Sequence, residues 1–258
     1  MPQIKLRFGE VETESISPGI EALAEEVDSR GFFGYEGERR GAEDFVVGDD
    51  YIFLDYYKEI SVEQEEFNED DDVVMGEREL ARSMRFLLTE DGKYAFESTS
   101  QVYDDDALEY LFEPFGLNFE TEQYGNFSTE EIKNYYESVF RVRGLKLKGI
   151  ADQEPGRGHD TAVEDLVQQA GEPMVRAIFS TGSKDNNLKN SDIVDGFADL
   201  SDIKYIRAKD SEGEIQELYS SGRIEVRYPA DFDLEDQAQL VRRSEEHTSE
   251  LQSLSHIS

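Results

Sequence analysis

The sequence predicts an α+β protein built as two consecutive halves, each a mixed or antiparallel sheet with helices. Three observations carry this expectation. Met84, Phe86 and Leu88 alternate with Arg85, Leu87 and Thr89, and Tyr94 and Phe96 with Ala95 and Glu97, on either side of Glu90-Asp91-Gly92-Lys93. Asp-Gly between two alternating runs is a strong hairpin signal, because glycine takes positive φ at little cost. Short helix patterns follow strand patterns irregularly rather than one for one. Ser128-Thr-Glu-Glu131 then opens a second set of elements as a capping box.

Taken in order, Ile4, Leu6 and Phe8 alternate with Lys5 and Arg7, which predicts a first strand. Ser17-Pro18 is expected to start a helix with the stripe Ile20, Leu23, Ala24 and Val27, closed by Gly31. Phe32, Phe33 and Tyr35 are expected to pack under a sheet, and residues 36–44, with Arg39-Arg40, to form a polar loop. Residues 51–57 read as a central strand. Residues 59–72 are densely acidic and read as a solvated loop in which 61–67 pair at an edge. They lack the glycine and closing glutamate of a calcium loop. After the hairpin, Asp104-Asp-Asp106 caps a helix carrying Ala107, Leu108, Leu111 and Phe112, ended by Pro114 and Gly116.

The first half is placed at 1–117, a linker at 118–126 and the second half at 127–242. In the second half, Ile132, Tyr135, Tyr136 and Val139 mark a helix and residues 140–150 a strand. A loop at 151–160 leads to a helix with Val163, Leu166, Val167 and Ala170. Residues 174–179 read as a buried strand and 187–200 as a helix. Residues 203–208, 215–219 and 223–228 form a meander, and a last helix starts after Asp233.

Residues 243–253, Arg-Ser-Glu-Glu-His-Thr-Ser-Glu-Leu-Gln-Ser, resemble the in-frame translation of a common short-read sequencing adapter. That resemblance implies a non-native tail at 243–258 and a last helix that is cut short. His247 and His256 would then fall outside the native chain, leaving His159 as its one histidine.

Composition narrows the chemistry. The 258 residues carry a formal charge of −34, with 37% hydrophobic and 11% aromatic content, enough for a packed core. Arginine outnumbers lysine, 16 to 10. An acid-rich surface of this kind is tolerated where salt screens self-repulsion, with a Debye length of about 3 Å at 1 M. The expectation is a cytoplasmic protein of a halophile. Cysteine is absent, which removes disulfides, thiol catalysis and cysteine-held metals. The N-terminus reads as a strand rather than a signal peptide, and no run approaches the ~20 apolar residues of a membrane helix.

Four stretches could carry function. Arg141, Arg143, Lys146 and Lys148 form a basic island in an acidic chain. Arg141 and Arg143 fall on one face of a strand. Lys146 and Lys148 join them only if a bulge at Gly144 shifts the phase. Such a strip can contact phosphates; the alternative is salt pairing on an edge strand. Ser180, Thr181, Ser183, Lys184 and Asn186 lie in a polar loop between a strand and a helix, where an anion could be held. Its spacing is not that of a Walker loop. His159 beside Asp160 could act as a base, but no nucleophile motif accompanies it. Glu225-Val-Arg227 faintly matches the acid-x-lysine end of a metal-dependent nuclease core, with arginine in place of lysine.

The chain is rich in strand-forming and aromatic residues and poor in catalytic types. The expected function is therefore a non-enzymatic binding or regulatory protein whose partner is nucleic acid or another protein, with no membrane. A metal-dependent hydrolase or nuclease and a structural interaction protein are the alternatives. No catalytic residue, metal or cofactor is assigned.

Overall fold

Alternation in the first residues builds β1 (Gln3–Val11), with Ile4, Leu6, Phe8 and Val11 buried. The computed structural model describes residues 2–12, 18–35, 38–67, 73–98, 104–148, 176–182, 186–199, 201–209 and 215–255. The fold is α+β, and its strands pair antiparallel. The chain divides into two compact units.

The N-terminal unit comprises Arg7–Gln123 and Phe232–Glu245. Its strands follow the order β2 (Phe33–Tyr35), β3 (Glu38–Val47), β4 (Tyr51–Phe67), β5 (Val73–Thr89), β6 (Lys93–Glu97), then the later residues of β1, which also pair with β7 (Thr121–Gln123). The hairpin read from the sequence is the β5–β6 turn, with Gly92 at φ 90°. Helix α1 (Ile20–Arg30) buries Ile20, Leu23, Ala24 and Val27, as its stripe requires. Helix α2 (Asp104–Phe112) buries Ala107, Leu108, Leu111 and Phe112. These side chains close one core with Ile52, Leu54, Tyr56, Met84, Phe86 and Leu88 from β4 and β5.

Several expectations are corrected here. Residues 38–47 are strand β3 and not a loop. Arg40 is 4% exposed and pairs with Glu109 of α2 (2.8 Å) and with Glu113 just after it (2.6 Å), so its charge is buried but answered. Phe32 is half exposed rather than under a sheet. The acidic stretch continues β4 to Phe67 and pairs with β5 from Val73, making a hairpin with 17 residues on each strand. α1 begins at Ile20, two residues inside the expected start, with Gly19 at its cap.

The C-terminal unit comprises Met1–Leu6, Tyr124–Asp231 and Glu246–Ser258. Its strands run in the order β1 (its first residues), β12 (Ile224–Arg227), β11 (Ile215–Tyr219), β10 (Asp202–Lys209), β8 (Arg141–Lys148), β9 (Arg176–Ser180). Helix α3 (Thr129–Ser138) has the expected capping box. The Ser128 hydroxyl accepts from Glu131 N at 3.1 Å, and the Glu131 carboxylate accepts from Ser128 N at 2.5 Å. Ile132, Tyr135 and Tyr136 are buried from this helix. Helix α4 (Asp192–Asp199) follows a 3-10 turn at Leu188–Asn190, and its Phe197 ring packs against Phe179 of β9 at 5.6 Å. One sheet face is the core: Ile4 and Leu6, Ile224 and Val226, Leu218, Ile203, Ile206 and Ala208, Val142, Leu145 and Leu147, and Ala177 are all buried.

β9 was expected to be buried, but it is the last strand of this order, and Ile178 on its outer side is 54% exposed. The helix expected around Val163–Ala170, and His159 with Asp160, lie outside the described residues. Helix α5 (Leu234–Ser255) starts after Asp233, whose carboxylate accepts from Asp236 N at 2.9 Å. It runs unbroken past Arg242 through the adapter-like residues. Among the described residues, no helix is long and apolar enough to cross a membrane.

Candidate nucleic-acid interface

β8 is an interior strand, flanked by β10 and β9, and not the edge strand of the salt-pairing alternative. Its register against β10 pairs Gly144 with Arg207 and Val142 with Ala208, leaving Arg143 as an extra residue. This bulge resets the two-residue alternation. Val142, Leu145 and Leu147 therefore face the core, while Arg141, Arg143, Lys146 and Lys148 share the opposite face.

That opposite face carries more charge than the sequence alone exposes. Cross-strand register extends the row of cations in both directions. On β9, Arg176 lies opposite Lys148 and Ile178 opposite Lys146. On β10, Arg207 and Lys209 lie opposite Gly144 and Arg141. Arg227 of β12 lies opposite Ile215 of β11, and Lys5 of β1 opposite Glu225 of β12. Among the described residues of β8 to β12, the carboxylates on this face are Glu217, Glu225 and, at the start of β10, Asp202, which lies opposite Lys148.

The two glutamates lie directly opposite each other, a pairing that like charge disfavours unless cations answer it. Arginines do. Arg227 Nη2 reaches Glu217 at 2.8 Å, Arg207 Nε approaches it at 3.5 Å, and Arg223 Nη2 holds Glu225 at 3.0 Å. The Tyr205 hydroxyl donates to Glu217 at 2.9 Å. Glu217 and Glu225 are 4% and 6% exposed, buried beneath the side chains that bind them. Burial, followed by the bond to Glu217, holds the Tyr205 phenol above its usual range. Burial, followed by the charges of Glu225 and Glu217, does the same for Tyr219.

The rings and cations interleave. Tyr205 and Tyr219 lie 5.0 Å apart, Lys146 Nζ sits 4.6 Å over the Tyr205 ring, and the Arg223 guanidinium sits 4.2 Å over Tyr219. Gly144 makes room for this arrangement. A β-carbon there would meet Arg207 Cβ at 3.2 Å and Tyr205 Cε1 at 3.4 Å. At the start of β8, Phe140 is 63% exposed with Arg141 5.7 Å over its ring.

The loop after β9 divides. Ser180 pairs with Gly144, and Thr181 N donates to Arg143 O at 3.1 Å, so both extend the sheet. Asn186 is exposed, while Ser183 and Lys184 lie outside the described residues. Asn187, which sequence reading passed over, is the anchor. Its Oδ1 accepts from Val142 N at 2.9 Å and Lys189 N at 3.1 Å, and its Nδ2 donates to Phe140 O at 3.2 Å. It fixes the start of β8 and carries no chemistry. A shallow cleft between α3 and α4 is lined by Lys133, Tyr136, Glu137, Lys189 and Asp195. Its polar groups answer one another: Tyr136 donates to Asp195 at 2.5 Å, and Lys189 Nζ donates to Glu137 O at 2.7 Å.

The fold and this face define an α+β protein whose C-terminal sheet carries a basic, aromatic-bearing face opposite its core. No protein-family model matches the chain, and no curated protein matches it.

Proposed function

We propose that the C-terminal unit is a non-enzymatic binding module that holds nucleic acid on the open face of its sheet. The observation that carries this reading is the collection of cations from β1, β8, β9, β10 and β12 on one face of a chain whose formal charge is −34. A protein so acidic repels polyanions over most of its surface, so a basic face confines contact to one place. Phosphates lie along Arg141, Arg143, Lys146 and Lys148, and a base stacks on the exposed Phe140. Stacking contributes roughly 1–3 kcal/mol per base and survives salt that screens phosphate contacts. That combination suits the salt-rich cell which the composition suggests.

The nuclease reading is less well supported. Glu225 and Glu217 are held by Arg223 and Arg227, whose charges would oppose a divalent cation at the same carboxylates.

Fluorescence anisotropy with single- and double-stranded probes tests the proposal. Wild-type protein is expected to bind, and Arg141→Glu combined with Arg143→Glu to abolish binding with an unchanged circular dichroism spectrum. A wild-type protein that binds neither probe would overturn it.

A further inference from the structure

The hairpin of β4 and β5 outgrows its sheet. β3 covers β4 only as far as Lys58, opposite Arg40, and β6 covers β5 only along Phe86–Leu88. Beyond that, residues 59–67 and 73–81 pair solely with each other. At about 3.3 Å per residue, this is a two-stranded arm roughly 30 Å long, with both edges unpaired among the described residues. A two-stranded ribbon is at best marginally stable alone, and long open edges are usually covered.

One face of the arm is acidic. The register places Glu63 opposite Glu77 and Ser61 opposite Glu79, with Glu65 next along the strand opposite Met75. Like charges directly opposite each other cost stability, so this face is not arranged for the arm's own benefit. Near the end of the arm, Val73 and Met75 are 58% and 61% exposed. The complement to this surface is the C-terminal unit's sheet face of cations, which carries the exposed apolar side chains Ile178 and Phe140.

We infer that the acidic arm of one copy docks on the basic sheet face of a second copy, so that the chain associates with itself. Carboxylates of the arm take the places of phosphates, and its apolar end meets Ile178 and Phe140. Self-association and nucleic acid then compete for one face, and release of the arm regulates access to it. This uses the same face as the proposed function but does not depend on nucleic acid being its ligand.

The test is a charge exchange on the full chain, read by sedimentation velocity at the lowest salt at which every variant stays folded, where contact pairs are least screened. One variant carries Glu63→Lys, Glu77→Lys and Glu79→Lys; the other carries Arg143→Glu and Lys146→Glu. Glu63, Glu77 and Glu79 are exposed and Arg143 and Lys146 half-buried, so circular dichroism checks each fold. Wild type is expected to associate, each variant alone to associate at least about tenfold more weakly, and the equimolar mixture to recover. A wild type that stays monomeric up to its solubility limit overturns the inference. So does a mixture that fails to recover, or association that survives the sheet-face variant, which would mean that arms pair with arms. Added single-stranded oligonucleotide is expected to dissociate the wild-type assembly. If the exchange recovers association while no oligonucleotide binds, the nucleic-acid reading fails and arm docking stands.

Discussion

Replacing Ser128 with alanine should destabilise the C-terminal unit by about 1 kcal/mol, the usual cost of losing a helix cap. The hydroxyl answers Glu131 N, and nothing in alanine replaces it. A urea midpoint unchanged from wild type would show that the cap contributes nothing. Features at this scale were readable because they are local: the Ser128 box, the turn glycine Gly92 and the stripe of α1 are complete within a few residues of sequence. Arg40 was misread because its partners, Glu109 and Glu113, come from a distant part of the chain. Glu217 was overlooked for the same reason. In sequence it is one acid among 60 acidic residues; in the fold it is the hub for Arg207, Arg227 and Tyr205.

Among elements, alternation identified the strands wherever one face is buried and failed where neither is. β1 and β10 bury residues mainly from one face, β6 and β12 bury their alternating apolar residues with the one between, and all four were legible. The outer part of β4 buries neither face over residues 59–65, so its composition says acidic loop while its backbone says strand. β3 was hidden by its bulge, where the register skips Asp44 at φ 48° between Glu43 and Phe45, so its pattern breaks mid-strand. β9 shows the opposite error: an apolar run suggested burial, yet the strand ends its row and exposes Ile178. Helix α5 offers the sharpest test at this scale. It passes through the adapter-like residues and buries Ser244, Glu245 and Thr248, with Arg242 bonded to Glu245 at 2.5 Å. Arg242 also holds Asp50 at 2.6 Å, a contact that survives loss of the tail. If the adapter-like tail is non-native, deleting residues 243–258 should cost less than about 1 kcal/mol despite that burial, the size of an average damaging point mutation. A larger loss in thermal unfolding would mean that these residues belong to the packing of the fold.

At the scale of the molecule, the four cations of β8 were legible because they are contiguous, and even their shared face was foreseen if a bulge occurred near Gly144. The rest of the face was not. Arg176, Arg207, Arg227 and Lys5 join it only through cross-strand register, which no single stretch of sequence states. The account rests on this face holding phosphates, and the salt dependence of binding measures that directly. Anisotropy with a single-stranded probe, repeated across a series of salt concentrations at which the protein stays folded, gives the slope of log affinity against log salt. Four phosphates at about −0.7 each predict a wild-type slope near −3, and Arg143→Gln with Lys146→Gln should bring it to about half that value. A slope near zero, or one that the substitutions leave unchanged, would contradict the account.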